Sequence, residues 1–214
     1  MIRKLPVSTL ISIKKLRVVL SFGIKGYLAD NGWFNAFLQK SPIGAENEPI
    51  PWVTYSFIDF IEPRLNQNQT IFEYGAGNST LYYCKKVKEV VSVENDKIWM
   101  EKLSENKPNN STLIYSELVY GGEYSMKSTT INKNFDLIIV DGRDRVNCCK
   151  NAIQALTSSG VIVLDDSERK QYSPAFDFLK EKGFRELTFT GIAPGLFHTK
   201  ATTVFYRDGN CLGI

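Results

Sequence analysis

The chain has 214 residues, 43% hydrophobic and 23% charged, enough to close a full core in one domain with an extension. A net charge of +3 is too mild to argue for nucleic acid as a partner. Cys84, Cys148, Cys149 and Cys211 lack CxxC or zinc-ligand spacing and read as reduced thiols of a cytosolic protein, and no apolar run approaches the roughly 20 residues of a bilayer span.

Residues 1–29 hold Arg3, Lys4, Lys14, Lys15, Arg17 and Lys25 and no acid, with Leu10, Ile11, Ile13, Leu16, Val18, Val19, Leu20 and Phe22 between them. Three readings stay open. The segment is a basic amphipathic helix on an anionic membrane, a targeting segment, or a helix packed on the domain or on the partner of a homo-oligomer. Packing is favoured, because the apolar positions are not cleanly one-faced. Ser41–Pro51, rich in Pro, Gly and acids, reads as a loop. It separates a basic extension, residues 1–50, from a domain at residues 51–214.

Tyr55, Ile58, Ile61 and Leu65 repeat at helical spacing, and Pro63 marks a helix that is stopping. Strands and helices then alternate, which predicts a parallel α/β sheet. Strands are predicted at Ile71–Tyr74, Val90–Glu94, Leu113–Tyr115, Asp136–Val140 and Val161–Leu164. Helices follow the first two at Thr80–Lys88 and Lys97–Ser104. Val146, Cys149, Ile153 and Leu156 form one stripe of a helix that Gly160 closes. Pro174 opens a helix through Lys182, and Gly183 ends it. Leu187–Phe189 and Thr203–Tyr206 are the last strands, an antiparallel pair. The fold class is a Rossmann-like, mostly parallel sheet with an antiparallel last strand and an N-terminal helical extension.

The most informative stretch is Thr70–Lys86, TIFEYGAGNSTLYYCKK. A short apolar strand ends in Glu73. Gly75, Gly77 and the pair Ser79–Thr80 follow, and a helix begins at once. Such a turn lets backbone approach a ligand closely. Thr80 stands where a dinucleotide fingerprint needs its third glycine, and no P-loop lysine is present. The second strand ends in Glu94, about twenty residues on, where a Rossmann-like unit places the acid for ribose hydroxyls. Acids also end the fourth strand, at Asp141, and the fifth, at Asp165–Asp166. The bland alternative is an ordinary βαβ unit with solvated carboxylates.

Acid–x–Gly–x–Gly–x–Ser, followed by SVEND, VDGRDRVNC, VIVLDDSER and TTVFYR, resembles the class I S-adenosylmethionine (SAM)-dependent methyltransferases over about Pro51 to Arg207. The resemblance implies that Glu73, Gly75, Gly77 and Ser79 line the methionine part of SAM. It implies that Glu94 binds the ribose, that Ser116 and Glu117 flank the adenine, and that Asp141 sits beside the sulfonium and the substrate. Asp141, Asp165 and Asp166 stand where catechol-type O-methyltransferases bind Mg²⁺. Two departures weigh on that comparison: the last position is Asp rather than Asn, and Arg143, which cannot accept a proton, is the cation nearest the family's lysine base. The alternative is that these acids pair with Arg143, Arg145 or Arg169.

The only histidine, His198, is a candidate general base, although a plain loop histidine is the favoured reading. Arg143, Arg145, Arg169 and Lys170 suit a phosphate, a carboxylate or an acidic sugar, and equally a solvated helix start. Tyr120–Tyr124, YGGEY, reads as a mobile loop over the cofactor or a plain turn. The expected activity is methyl transfer from SAM to an oxygen of a small-molecule, lipid or saccharide acceptor, with no nucleic acid involved. An aminopropyltransferase and a non-catalytic SAM-fold subunit at a membrane are the alternatives.

Overall fold

The computed structural model describes residues 13–214; residues 1–12, with Arg3, Lys4, Leu10 and Ile11, lie outside the described residues. The strands are β1 Thr70–Tyr74, β2 Glu89–Glu94, β3 Ser111–Tyr115, β4 Phe135–Val140, β5 Leu156–Asp165, β6 Arg185–Gly191 and β7 Lys200–Tyr206. The α-helices are α1 Ile13–Ser21, α2 Tyr27–Asp30, α3 Trp33–Gln39, α4 Tyr55–Ile61, α5 Asn78–Cys84, α6 Lys97–Glu105, α7 Glu123–Thr130, α8 Arg145–Ala152 and α9 Ser173–Glu181. One sheet runs in the order β3-β2-β1-β4-β5-β7-β6. The first five strands are parallel, and β7 lies antiparallel between β5 and β6. The expected Rossmann-like architecture and antiparallel end are therefore present.

Alternation along the strands builds two cores, because successive side chains point to opposite faces. Ile71, Leu137, Ile139, Val161 and Val163 face α4 and α5, where Phe57, Ile61 and Tyr83 are fully buried. Phe72, Tyr74, Ile138, Val140, Ile162 and Leu164 face α7, α8 and α9, meeting Tyr124, Cys148, Cys149 and Leu179. Residues from the extension join the first core: Trp33 and Ile50 are buried in it, and the Trp33 indole N–H donates to the Leu196 carbonyl at 3.1 Å.

One local expectation is corrected, and another is met only in part. Gly160 does not close a helix. The helical stripe ends at Ala152, a 3-10 turn covers Ile153–Ala155, and β5 already pairs at Leu156. A register shift between Phe135 and Leu137 absorbs the extra residues, and a Cβ at Gly160 would sit 2.9 Å from the Phe135 carbonyl oxygen. Glycine thus serves a bulge here. The YGGEY segment turns at residues 120–122, as one of its two readings had it, and its last two residues open α7. Its Ser- and Thr-rich sequence has weak helical propensity. Tertiary bonds hold it instead: the Tyr74 hydroxyl reaches the Ser125 carbonyl and the Ser128 hydroxyl, each at 2.8 Å.

Candidate functional site

The strand order reverses between β1 and β4, which opens a crevice at the carboxyl edge of the sheet. A cleft of about 590 Å³ occupies it. Its floor is the turn between β1 and α5. Gly75 has φ +93°, and its Cβ would stand 3.1 Å from the Gly142 backbone, so two strand-end turns meet where only glycine fits. Gly77 is extended, with φ 177°, and a Cβ there would project toward the Trp99 ring at 3.9 Å.

Glu94 ends β2 and ties this floor together. Its Oε2 accepts from the Ala76 N–H at 3.1 Å, and its Oε1 accepts from Asn95 and Asp96 N–H at 2.7 and 2.8 Å. Three backbone donors fix the carboxylate at the cleft wall while one lone pair, on Oε2, stays open for a ligand. The Trp99 indole donates to the Ala76 carbonyl at 2.7 Å, and Asp96 caps α6 by accepting from the Trp99 N–H. Trp99, Asp96, Trp52 and Lys40–Pro42 all line the cleft, and sequence reasoning missed them. Its place three residues after the capping Asp96, in the short helix that follows β2, was the available signal for Trp99. Nothing local pointed to Lys40 or Pro42, which reach the site because Asn78 Nδ2 donates to the Pro42 carbonyl at 2.8 Å.

Ser79, Gly75 and Gly77 line the cleft as expected, but Glu73 does not. Glu73 is fully buried beneath the turn, where its Oε2 accepts from Thr80 and Ser92 hydroxyls at 2.6 and 3.0 Å and its Oε1 has no partner. Burial pushes its carboxyl up to about 7, against the lowering effect of the Ser79, Thr80 and Ser92 hydroxyls. The folded state therefore binds a proton that the unfolded chain gives up near pH 4. Stability falls as pH rises from there toward 7 and is level above it. Glu73→Gln should remove this slope and be more stable than the wild type at pH 8 by about 3 kcal/mol. Urea unfolding at pH 5 and pH 8 measures it, and parallel pH profiles for the two proteins would contradict it.

Ser116 is buried behind Glu94 with an unpartnered hydroxyl, and Glu117 is exposed; neither lines the cleft. His198 is exposed on the loop between β6 and β7 and does not line the cleft either, which sets aside the candidate base and leaves the favoured loop histidine. That loop is fastened the other way: Phe197 stacks edge-on against Trp33 and Phe37 of α3.

The three strand-end aspartates do converge, but cations already hold them. Lys200 Nζ lies 2.6 Å from Asp165 Oδ2 and 3.1 Å from Asp166 Oδ1, and it donates to the Trp52 carbonyl at 2.6 Å. Arg145 spans the cluster, reaching Asp141 Oδ1 at 3.1 Å and Asp166 Oδ2 at 3.3 Å, with Asp165 also in contact. Arg169 adds a bond to Asp166 Oδ2 at 2.8 Å, and the Thr202 hydroxyl donates to Asp165 Oδ1 at 2.9 Å. Among the described residues, Asp141 Oδ2 is the one oxygen of the set without a cation or hydroxyl partner. A divalent cation needs several free carboxylate or water oxygens and would stand among three positive side chains. The residues do not fit Mg²⁺, and the expected metal site at Asp141, Asp165 and Asp166 is corrected to an ion-pair network.

Burial raises the Asp141 and Asp165 carboxyls, and for Asp165 the neighbouring Asp141 charge adds to the rise; Arg145 and Lys200 oppose it. Burial pulls Lys200 and Arg145 down, but the surrounding carboxylates outweigh it and hold both protonated. Lys200 went unnoticed in the sequence because it opens β7. The antiparallel pairing of Asp165 with Thr202 is what brings the start of β7 beside the end of β5. Asp166 adopts left-handed backbone, φ 52°, a conformation that persists where surroundings over-determine it.

No protein-family profile and no curated protein matches the chain. Solved structures do. The precorrin-6y C5,15-methyltransferase of Geobacter metallireducens superposes with a TM-score of 0.55 at 14% identity, covering 72% of this chain and 87% of that one. A TehB-like SAM-dependent methyltransferase of Corynebacterium glutamicum gives 0.52 at 16% identity, over 72% and 88%. A candidate methyltransferase of Streptococcus mutans, solved with S-adenosylhomocysteine (SAH), gives 0.52 at 14% identity, over 70% and 94%. At these identities the likeness establishes the fold: the chain has the class I SAM-dependent methyltransferase fold.

Proposed function

We propose that the protein is a SAM-dependent methyltransferase acting on an oxygen of a small-molecule, lipid or saccharide acceptor. The observation that carries this is the meeting of the Gly75–Gly77 turn, the Glu94 carboxylate and Asp141 in one cleft at the point where strand order reverses. The cradle fits the cofactor: a close glycine floor, a fixed carboxylate beside it, and an aromatic wall at Trp99. SAM, when bound, supplies a methyl group on a good leaving group, so the chain's task is alignment and exclusion of water. Glu94 accepts from ribose hydroxyls. Asp141, half-buried and with its carboxyl raised by burial, presents its Oδ2 as the acceptor for the proton that the substrate hydroxyl loses. Lys200 and Arg145 are fully engaged as cations and act by holding Asp141 and its neighbours in place.

Methyl transfer from SAM to a fractionated metabolite extract tests this reading. Transfer should persist in excess chelator, and Asp141→Asn should lower it by about 100-fold, the scale of a lost general base. Loss of transfer in chelator, with recovery on adding Mg²⁺, would overturn the network in favour of a metal.

Membrane contact is a second reading, and one observation favours it. Helix α1 buries none of its residues, and Leu20 and Ile24 are 67% and 83% exposed beside exposed Lys14, Lys15, Arg17 and Lys25. This removes the buried face that packing on the domain needs. No helix among the described residues is long and apolar enough to cross a membrane. The protein should co-sediment with vesicles containing phosphatidylserine at low salt and leave them at high salt, because charge attraction at the surface is screened. Lys14→Glu combined with Lys15→Glu should abolish the association. A wild type that ignores such vesicles at low salt excludes the membrane reading.

A further inference from the structure

Beside the main cleft lies a smaller one of about 300 Å³, between the end of β4 and the segment after β5. Gly142, Arg143, Arg145 and Arg169 line both, so the two spaces adjoin along these residues. Tyr120 and Tyr172 border the smaller one. Its charge balance is uneven. Arg145 and Arg169 are committed to the three strand-end aspartates, together with Lys200. The nearby acid, Asp144, is also occupied: its Oδ2 accepts from the Gly121 N–H at 2.7 Å and its Oδ1 from Asn147 Nδ2 at 2.8 Å. Arg143 is exposed into this space, and among the described residues its guanidinium makes no ion pair and no hydrogen bond. The acids nearest it are thus neutralised or hydrogen-bonded, and one planar fork of donors remains.

Backbone contacts fix the point from which the Arg143 side chain leaves the main chain. Asp144, next in sequence, adopts left-handed backbone with φ 50°, held by Gly121 and Asn147. The Arg143 N–H lies 3.4 Å from the Tyr124 hydroxyl, and its carbonyl accepts from the Cys148 thiol at 3.3 Å. Arginine with free donors at a cleft wall suits a phosphate or carboxylate, which it binds with two parallel hydrogen bonds.

We infer that Arg143 binds an oxyanion group of the methyl acceptor, so that the substrate is a small anionic molecule whose body lies between Tyr120 and Tyr172. The inference rests on the methyltransferase reading and adds the acceptor's class to it. The anionic end enters the smaller cleft, and the hydroxyl to be methylated is left facing Asp141 in the larger one.

The test titrates inorganic phosphate into the protein saturated with SAH, followed by ³¹P NMR, so that the cofactor cleft is filled and phosphate reports on the smaller one. Saturable binding is expected. Arg143→Gln should weaken it at least tenfold, and Arg143→Lys should weaken it less, since the charge stays and only the fork is lost. Each variant is first brought to saturation with SAH, which also shows that it is folded. Absence of phosphate binding to the SAH complex, or equal binding by the wild type and Arg143→Gln, would overturn the inference and leave the cofactor site standing. Failure of the wild type to bind SAH at all would instead remove the reading on which it rests.

Discussion

Lys200→Met should destabilise the protein by about 3–5 kcal/mol, the scale for removing one partner of a buried ion pair. The Lys200 side chain is 7% exposed and that of Asp165 is fully buried, so water cannot replace the lost contact. Removing the ammonium strips Asp165 Oδ2 of its close cation and leaves Asp166 to Arg145 and Arg169 alone. Asp165 would respond by taking up a proton, because burial and Asp141 already raise its carboxyl. Lys200→Met combined with Asp165→Asn should therefore recover much of the loss, since the neutral amide needs no counter-charge and can still accept from Thr202. Denaturant unfolding of the two single variants and the pair measures the coupling. A Lys200→Met variant within about 0.5 kcal/mol of the wild type would show that the network carries no such weight.

Gly77→Val should abolish SAH binding, a loss of more than about 100-fold or roughly 3 kcal/mol. Gly77 is extended, so a side chain costs no left-handed strain there, and its Cβ enters the cleft opposite Trp99 at 3.9 Å. The fold should survive and the ligand should not fit. Gly75→Val is expected to fail differently. Its φ of +93° disfavours a β-branched residue, and the Cβ meets the Gly142 backbone at 3.1 Å, so stability drops together with binding. Glu94→Ala should weaken SAH by about 1–3 kcal/mol, because it removes ribose hydrogen bonds and also frees the amides of Ala76, Asn95 and Asp96. Isothermal titration of the three variants checks the order. Wild-type affinity in Gly77→Val would move the ligand away from this turn.

Much of this arrangement was legible in the sequence because it depends on short-range signals. Strand-ending acids, a glycine turn and continuous Val and Ile runs mark β1, β2 and β4, and their order places Glu94 and Asp141 at one edge. Four things depended on longer-range contacts and were not legible. The role of Glu73 turns on which way one buried carboxylate faces, and Thr80 and Ser92 draw it inward. The acids at 141, 165 and 166 suited a metal or an ion pair equally until the register of β7 brought in Lys200. Helix α7 is set by buried bonds from Tyr74 rather than by its own Ser- and Thr-rich sequence. The contribution of Lys40, Pro42 and Trp52 to the cleft likewise arises from contacts such as Trp52 Nε1 to the Pro194 carbonyl at 2.9 Å, far apart in the chain.

The central claim is that the cleft at the β1–β4 switch point is a SAM site, and calorimetric titration of SAH into the wild-type protein tests it most directly. The account predicts saturable binding of one SAH per chain. No binding of SAH or of SAM by the folded wild-type protein would contradict it.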